Sequence, residues 1–230
     1  MKVGIPKYEI SYLGPPVELE EASDFNGDHM AEFISSICSN IEFNKSKGFK
    51  VTAIDLASFE FIGEIFSSGD LIINTKLVEL IRSVNVDGHR LFLYVSKDYF
   101  LGSSVNSIVD STKICLNLLS EILDFYKCES GIIIRVGSAY GNRKKTISRF
   151  YDNFKTLNPD TIKKIMVTND DRPSLFSVKD LLSEISLSYG VPIVFRTLSH
   201  YFNPGLLSYG DALGLSLSTW NRNSLPIIIH

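Results

Sequence analysis

The sequence predicts an α/β protein with parallel strands, organised as one continuous domain over residues 1–230. Short runs rich in β-branched residues alternate with longer segments whose apolar residues recur at helical spacing. That order is typical of parallel strands joined by crossover helices. The sequence has no internal repeat, low-complexity tract or linker-like run that would divide it. The alternation fits a closed barrel and an open doubly wound sheet equally well.

Seven segments are predicted to be strands, and helices are predicted between them. The strands are Lys2–Ile5, Lys50–Asp55, Arg90–Val95, Gly131–Val136, Lys164–Thr168, Val191–Arg196 and Pro226–His230. One helix precedes Gly48, and two long helices are expected around Ser104–Lys127 and Asn142–Lys155. Ser177 with Asp180 predicts a capping box at the start of another helix, which Gly190 should end.

Composition narrows the class of protein without selecting a function. At 230 residues, of which 44% are hydrophobic and 21% charged, the chain can bury a sizeable core. Its net charge of −3 gives no overall basic field, so nucleic-acid binding would need a local basic cleft. Cys38, Cys115 and Cys128 lack metal-type spacing and are expected to be reduced thiols. With no membrane-length apolar stretch and no visible signal peptide, we expect an intracellular protein without a membrane partner.

Three short segments follow consecutive predicted strands. Residues 135–141 read Arg-Val-Gly-Ser-Ala-Tyr-Gly, residues 168–170 read Thr-Asn-Asp, and residues 200–205 read His-Tyr-Phe-Asn-Pro-Gly. In order and spacing they resemble the H-x-G-G-x-Y-G, E-N-D and D-x-x-H-H-x-x-N-P-G elements of the UV damage endonuclease family. The resemblance covers essentially the whole chain. It implies a TIM-type (βα) barrel and metal-dependent cleavage of the DNA backbone 5′ to a lesion.

The resemblance also implies a cluster of divalent-metal ligands at the C-terminal ends of the strands, and most of them are replaced here. Where the family has histidine or carboxylate ligands, this sequence has Ala57, Tyr94, Arg135, Thr168, Arg196 and Ser199. His200 matches the second histidine of a pair, and His230 aligns with a ligand histidine. The resemblance therefore predicts a family barrel with a degenerate metal site and no expected cofactor.

Two of the replacements are arginines, which carry a permanent positive charge. A guanidinium a few ångströms from a dication repels it by several kcal/mol even at an effective dielectric of about 20. Arg135 and Arg196, together with Lys97, could instead bind a phosphate group. Alternatively, the two arginines form internal salt bridges, with Asp55 and Asp170 as the candidate partners.

The titratable residues that remain near the predicted barrel mouth are Asp55, Asp170, His200 and His230. They are the candidates for a relocated acid–base or manganese-type metal site. The alternative is that Asp170 belongs to a capped loop and that His200 is a hydrogen-bonded core histidine. Lysine and aspartate replace the family's damage-probing Gln-Tyr pair at positions 97 and 98, so lesion recognition is also in question.

The last predicted strand is the seventh, whereas a (βα)₈ barrel closes by pairing an eighth strand with the first. We therefore expect seven strands with an incomplete or partner-completed eighth. The strand edges at Lys2–Ile5 and Ile227–His230 would be covered by self-association or by a protein partner.

The sequence favours a catalytically degenerate UV damage endonuclease-like barrel that acts as a structural or interaction protein, as a subunit of a larger assembly. The alternative is a DNA-repair endonuclease or DNA-binding protein with a rearranged metal site. In that case the basic residues Arg135, Arg196 and Lys97 and the cluster Asn142–Lys145 would contact DNA.

Overall fold

The structure is a computed structural model that describes residues 9–11, 27–56, 88–95, 99–126, 129–139, 141–220 and 224–230. The predicted strand Lys2–Ile5 and the predicted site residues Ala57 and Lys97 lie outside the described residues. So does Cys128, whereas Cys115 is a buried free thiol and Cys38 is a half-buried one.

Strands and helices alternate along the chain. The strands are β1 (Glu9–Ser11), β2 (Val51–Asp55), β3 (Arg90–Val95), β4 (Ser130–Ile134), β5 (Ile165–Thr168), β6 (Ile193–Arg196) and β7 (Ile227–Ile229). The helices are α1 (Gly27–Ser46), α2 (Asn106–Phe125), α3 (Arg143–Phe154), α4 (Pro159–Lys164), α5 (Val178–Leu181), α6 (Leu187–Tyr189), α7 (Thr197–Phe202) and α8 (Tyr209–Ser218), with a π-helical turn, Leu182–Ser186, between α5 and α6.

All neighbouring strands are parallel, and the sheet order is β1-β7-β6-β5-β4-β3-β2. The two end strands, β1 and β2, also lie against each other, so the sheet curls into a nearly closed barrel. The prediction of a TIM-type barrel is therefore confirmed. Among the described residues β1 pairs directly with β7, from Glu9 opposite Ile227 to Ser11 opposite Ile229, which is the place an eighth strand would take.

The predicted strands agree with the observed ones to within about two residues, and Arg90–Val95 agrees at both ends. The strand Glu9–Ser11 was not predicted by the sequence analysis. The capping box at Ser177 is present, and Gly190 ends α6 in the left-handed conformation with a φ of 68°. No helix in the described part of the chain is long and apolar enough to cross a membrane.

Side chains of the strands point alternately into the barrel and toward the surrounding helices. On β3, Leu91 and Leu93 pack with the helices, whereas Phe92 and Tyr94 pack with the barrel interior. On β6, Val194 faces the interior and Phe195 packs with helices α5 and α8. This alternation decides which residues at the strand ends reach the barrel mouth.

Candidate functional site

The C-terminal ends of parallel barrel strands open on one face, where active sites of this architecture lie. Tyr94 is the next-to-last residue of β3, Arg135 directly follows β4, and Thr168 and Arg196 end β5 and β6. Four of the six replaced ligand positions are therefore at the barrel mouth. Three of them, Tyr94, Arg135 and Arg196, are in direct contact.

The hydroxyl group of Tyr94 joins the two arginines. Nε of Arg135 donates a hydrogen bond to it over 2.9 Å, and Nη1 of Arg196 donates another over 2.8 Å. The Arg196 guanidinium also lies over the Tyr94 ring, 5.1 Å from its centroid. Burial raises the pKa of Tyr94, although Arg196 and Arg135 both act to lower it. The phenol therefore stays neutral, and both cations are hydrogen-bonded to an uncharged oxygen.

Asp170 is the buried carboxylic acid of this cluster, with 1% of its surface exposed. Its Oδ1 lies 3.4 Å from Nε of Arg135, which makes an ion pair without hydrogen-bond geometry. Neither carboxylate oxygen has a partner with good hydrogen-bond geometry among the described residues, although the Phe176 backbone N–H is close enough to lower the pKa of Asp170. Burial raises the pKa of Asp170 to about 6, against the opposing effect of Arg135. A carboxylate in this state is poorly compensated.

Thr168 and Asn169 are used for scaffolding between β5 and β6. The Thr168 hydroxyl donates to the carbonyl of Val194 over 2.9 Å. The Asn169 amide donates to the Arg196 carbonyl over 3.1 Å and accepts from the Arg196 backbone N–H over 2.8 Å. The position where the resemblance places a glutamate ligand is thus held by a hydroxyl that bonds to backbone.

Ser199, His200 and His230 lie apart from the arginine cluster. Ser199 and His200 are buried in α7, where the His200 ring packs 5.3 Å from the Phe195 ring, on the helix side of β6. Nδ1 of His200 has no hydrogen-bond partner among the described residues, and burial lowers the pKa of this imidazole. Nδ1 of His230 lies 2.9 Å from the Thr197 hydroxyl.

The four candidates for a relocated metal site therefore do not converge. Asp170 lies beside Arg135, and Asp55 is half-buried opposite Tyr94 in the β2–β3 register, whereas both histidines line an outer pocket. Within the described ranges, no three His, Cys, Asp or Glu residues are grouped so that they could hold a metal ion. The groups at the mouth, two guanidiniums, a phenol, a backbone-bonded hydroxyl and the single carboxylate of Asp170, do not suit a divalent cation.

An apolar surface lies beside the mouth on α7 and the loop before α8, and we call it the α7–α8 surface. Its exposed members are Leu198 (59% exposed), Tyr201 (78%), Phe202 (56%), Leu206 (95%) and Tyr209 (52%). An open pocket of about 590 Å³ lies on this surface, and its lining residues are Thr197, Leu198, His200, Tyr201, Pro204, Tyr209 and His230. Leu206 has a φ of 67°, unusual for a bulky residue. Such conformations occur where a loop has a functional shape.

The basic cluster at Asn142–Lys145 forms the start of helix α3. The Asn142 side chain caps α3 by accepting from the Lys145 backbone N–H. Arg143 forms an ion pair with Asp180 at 2.5 Å and lies over the Phe176 ring. Only Lys144 and Lys145 of this cluster have exposed side chains that are not engaged in a described ion pair.

Sequence reasoning identified the arginines but missed both the tyrosine that links them and the α7–α8 surface. Tyr94 was considered only as a lost ligand, because a phenol has no place in a metal-ligand pattern. The surface had a signal in the sequence: the run Thr197–Tyr209 has five large exposed apolar side chains and no Asp, Glu, Lys or Arg.

Comparison with known proteins gives a family match over most of the chain. The family model described as UV-endonuclease UvdE matches residues 55–230. A UV DNA damage endonuclease of Clostridium perfringens (strain 13 / Type A) is 30% identical over 105 residues, which are 44% of this chain and 25% of that protein. A UV DNA damage endonuclease of Bacillus cereus (strain G9842) is 29% identical over 129 residues, 53% of this chain and 40% of that protein. The chain thus spans less than half of these relatives.

Solved structures support the fold. The structure of SacUVDE superposes with a TM-score of 0.73 at 20% identity and covers 97% of this chain and 92% of its own. The 3-keto-D-glucoside 4-epimerase YcjR from E. coli has a TM-score of 0.57 at 11% identity and covers 97% of this chain and 79% of its own. Enzymes with different named activities thus share this barrel, so its function must be argued from the site.

Proposed function

Because the chain belongs to the UV-endonuclease UvdE family, we propose that it is a catalytically degenerate member that acts as a structural or interaction protein within an assembly. On this proposal the chain retains the barrel of the family and has lost its metal-dependent chemistry. It applies to residues 1–230, and the longer relatives carry further sequence beyond the matched part.

The observation that carries the proposal is the hydrogen bonding of Arg135 and Arg196 to the same Tyr94 oxygen. Family members would need divalent ions at this place to activate water and neutralise charge on phosphate. Two fixed positive charges raise the energy of a dication there by several kcal/mol at an effective dielectric of about 20. Arginine cannot relieve this repulsion by losing its proton.

The α7–α8 surface supports the interaction part of the proposal. Monomeric proteins rarely expose a contiguous group of large apolar side chains, and such groups mark binding sites. The surface is free of Asp, Glu, Lys and Arg, which is unfavourable for nucleic acid and typical of the apolar interfaces between identical subunits. We therefore propose that the partner is a second copy of this chain and that it binds at the α7–α8 surface. The sequence analysis expects a partner at the open strand edges instead.

The competing function is a DNA-repair endonuclease with a rearranged metal site. One observation favours it: Asp170 is a buried carboxylic acid whose oxygens have no partner with good hydrogen-bond geometry among the described residues, so a cation could satisfy them. Against it, His200 and His230 line the pocket on the α7–α8 surface and do not contact Asp170, and one carboxylate does not hold a divalent ion by itself.

Metal analysis with a nicking assay tests the choice between the two functions. We expect protein purified without chelator to contain no stoichiometric metal and, with added Mn²⁺, to leave UV-irradiated supercoiled plasmid intact. The reason is the arginine pair, so the matched variant Arg135→His with Thr168→Glu and Arg196→Asp restores the family's ligand types. This variant should gain Mn²⁺-dependent thermal stabilisation, because a ligand that binds only the folded state raises its stability.

Damage-dependent nicking by the wild type, with at least one bound metal ion per chain, would refute the proposed loss of activity. An intact family enzyme that retains its histidine and carboxylate ligands serves as the positive control for the assay.

The self-association is tested by Leu206→Asp. Leu206 is 95% exposed with positive φ, and aspartate tolerates that conformation better than leucine, so the change removes apolar area without added strain. We expect light scattering to give a dimer or larger for the wild type and a monomer for the variant. Leu187→Asp, at a 75% exposed site on α6, should leave the wild-type mass unchanged. A monomeric wild type at high protein concentration would exclude a second copy as the partner.

A further inference from the structure

We propose that Arg135 and Arg196, positioned by Tyr94, form a binding site for a singly charged phosphate group at the barrel mouth, where the family holds metal. The inference rests on the proposed loss of the metal site and assigns a ligand to the same place. At this place two arginines, Arg135 and Arg196, replace metal ligands of the family, so a site that binds cations would become one that binds anions.

Most N–H groups of the two guanidiniums remain available for a ligand. Each guanidinium carries five N–H donors in a planar fork. In the described ranges, the Arg135 guanidinium donates one hydrogen bond and that of Arg196 donates one, both to the Tyr94 hydroxyl. The Arg196 guanidinium lies 5.1 Å from the Tyr94 ring centroid and engages Tyr94 through Nη1, so its Nε and Nη2 N–H groups donate no hydrogen bond to a described residue and can bind a pair of oxygens.

The arrangement of the two arginines differs from an internal salt-bridge network. Neither arginine donates a hydrogen bond to a carboxylate within the described part of the chain. The contact of Arg135 with Asp170, at 3.4 Å, is an ion pair only. In a network built for stability, at least one bidentate arginine–carboxylate pair would be expected. Here both guanidiniums instead meet on a neutral oxygen.

Both arginines are accessible from solvent. The Arg135 side chain is 21% exposed and Arg196 is half-buried, so both reach solvent at the mouth, whereas Tyr94 and Asp170 beneath them are buried. A ligand that enters from the mouth therefore meets the two cations first. Partly desolvated guanidiniums bind oxyanions more strongly than fully exposed ones, since the local dielectric is lower.

The acidic neighbours set the charge of the ligand. Besides Asp170, Asp55 lies within electrostatic range of Tyr94, and Asp171 lies within range of Arg135. These carboxylates offset much of the charge of the two arginines, and a dianion would be repelled more strongly than a monoanion. Singly charged phosphates include dihydrogen phosphate below neutral pH and the diesters of a nucleic-acid backbone.

Calorimetric titration of the full chain with inorganic phosphate at pH 6 and low ionic strength tests the site. We expect Arg196→Gln to weaken phosphate binding by about tenfold, the loss of one charge-assisted bidentate contact. Arg196→Lys keeps the charge and loses the fork, and it should weaken binding by roughly fivefold. The matched control is Lys144→Gln with Lys145→Gln, which removes exposed cations of α3 and should leave the affinity unchanged. Far-UV circular dichroism of each variant verifies folding.

A single-stranded oligonucleotide added in competition identifies the source of the phosphate. Displacement of phosphate by the oligonucleotide in the wild type, and not in Arg196→Lys, assigns the site to a backbone diester. Binding of phosphate without displacement assigns it to a free anion. The inference is overturned if the wild type and both Arg196 variants bind phosphate with equal affinity. It is also overturned if the control variant Lys144→Gln with Lys145→Gln loses as much affinity as the Arg196 variants do. A separate titration with Mn²⁺ alone distinguishes failure of this site from failure of the proposed function. Binding of Mn²⁺ would contradict the proposed function. If neither Mn²⁺ nor phosphate binds, only the phosphate site is contradicted.

Discussion

Replacement of Asp170 by asparagine is expected to stabilise the folded protein by about 3 kcal/mol at pH 7.5, the cost of holding this carboxylate ionised in the fold. Burial raises the pKa of Asp170 from 3.8 to about 6, and Arg135 offsets only part of that effect. The folded state therefore binds the proton more tightly than the unfolded state does. Asparagine has nearly the same shape and remains neutral at every pH.

The sign of the pH dependence follows from the raised pKa. Above pH 6 the folded protein carries the full penalty of the charged carboxylate, and the penalty disappears as the pH falls toward 3.8. This group therefore makes the wild type more stable as the pH is lowered through 6. Urea unfolding at pH 7.5 and pH 4.5 measures the difference, which should be large for the wild type relative to Asp170→Asn.

Asp110→Asn is the control, because it removes the same negative charge from an exposed position on α2. It should change stability by less than about 0.5 kcal/mol. If the free energies of unfolding of the wild type and Asp170→Asn changed in parallel with pH, the charge of the Asp170 carboxylate would be fully compensated in the folded protein and the prediction would be wrong. The variant also removes a negative charge beside Arg135, so its phosphate affinity should rise.

Gly205→Ala is expected to destabilise the protein by about 2–4 kcal/mol, because it combines a strained backbone with a lost helix cap. Gly205 has a φ of 58°, and a Cβ at this position would overlap the Ser177 side chain. Ser177 is the N-cap of α5 and forms the capping box with Asp180. The alanine would therefore push the cap away from the helix that it begins.

Gly214→Ala is a matched control in the interior of α8. A Cβ there meets nothing within 4 Å, so the change should stabilise the protein by about 1 kcal/mol through helix propensity. Thermal unfolding of the two variants should thus shift in opposite directions. A midpoint for Gly205→Ala within one degree of the wild type would show that the loop moves to admit the methyl group without loss of stability.

Strands β2 to β7 were predictable because each is a short buried run of mostly apolar residues, β-branched in most strands and Leu, Phe and Tyr in β3, a pattern that does not depend on distant contacts. The first strand, Glu9–Ser11, has one β-branched residue of three, so it carries no such pattern and only its pairing with β7 defines it. Sequence analysis also placed Arg135 and Arg196 at strand ends, which the register of β4 and β6 bears out.

The partner of the arginines was not predictable from local pattern. Tyr94 is 41 residues before Arg135 and 102 before Arg196, and it was one of many buried aromatic residues in the sequence. Asp55 and Asp170 were the expected partners because carboxylates usually pair with arginine, and the ion pair of Arg135 with Asp170 confirms one of them. The position of His200 depended on the direction of α7, which turns this ring toward Phe195 and away from the mouth.

Closure of the barrel joins Glu9–Ser11 to Ile227–Ile229, so its last seam connects segments more than two hundred residues apart. Contacts of such long sequence separation carry a large loop-closure entropy and form late in folding. During synthesis, β2 to β6 emerge and can pair in order, but the seam between β1 and β7 cannot form until β7 leaves the ribosome. The nascent chain therefore holds an open curved sheet while the later strands are made, the stage at which a chaperone would have most to protect.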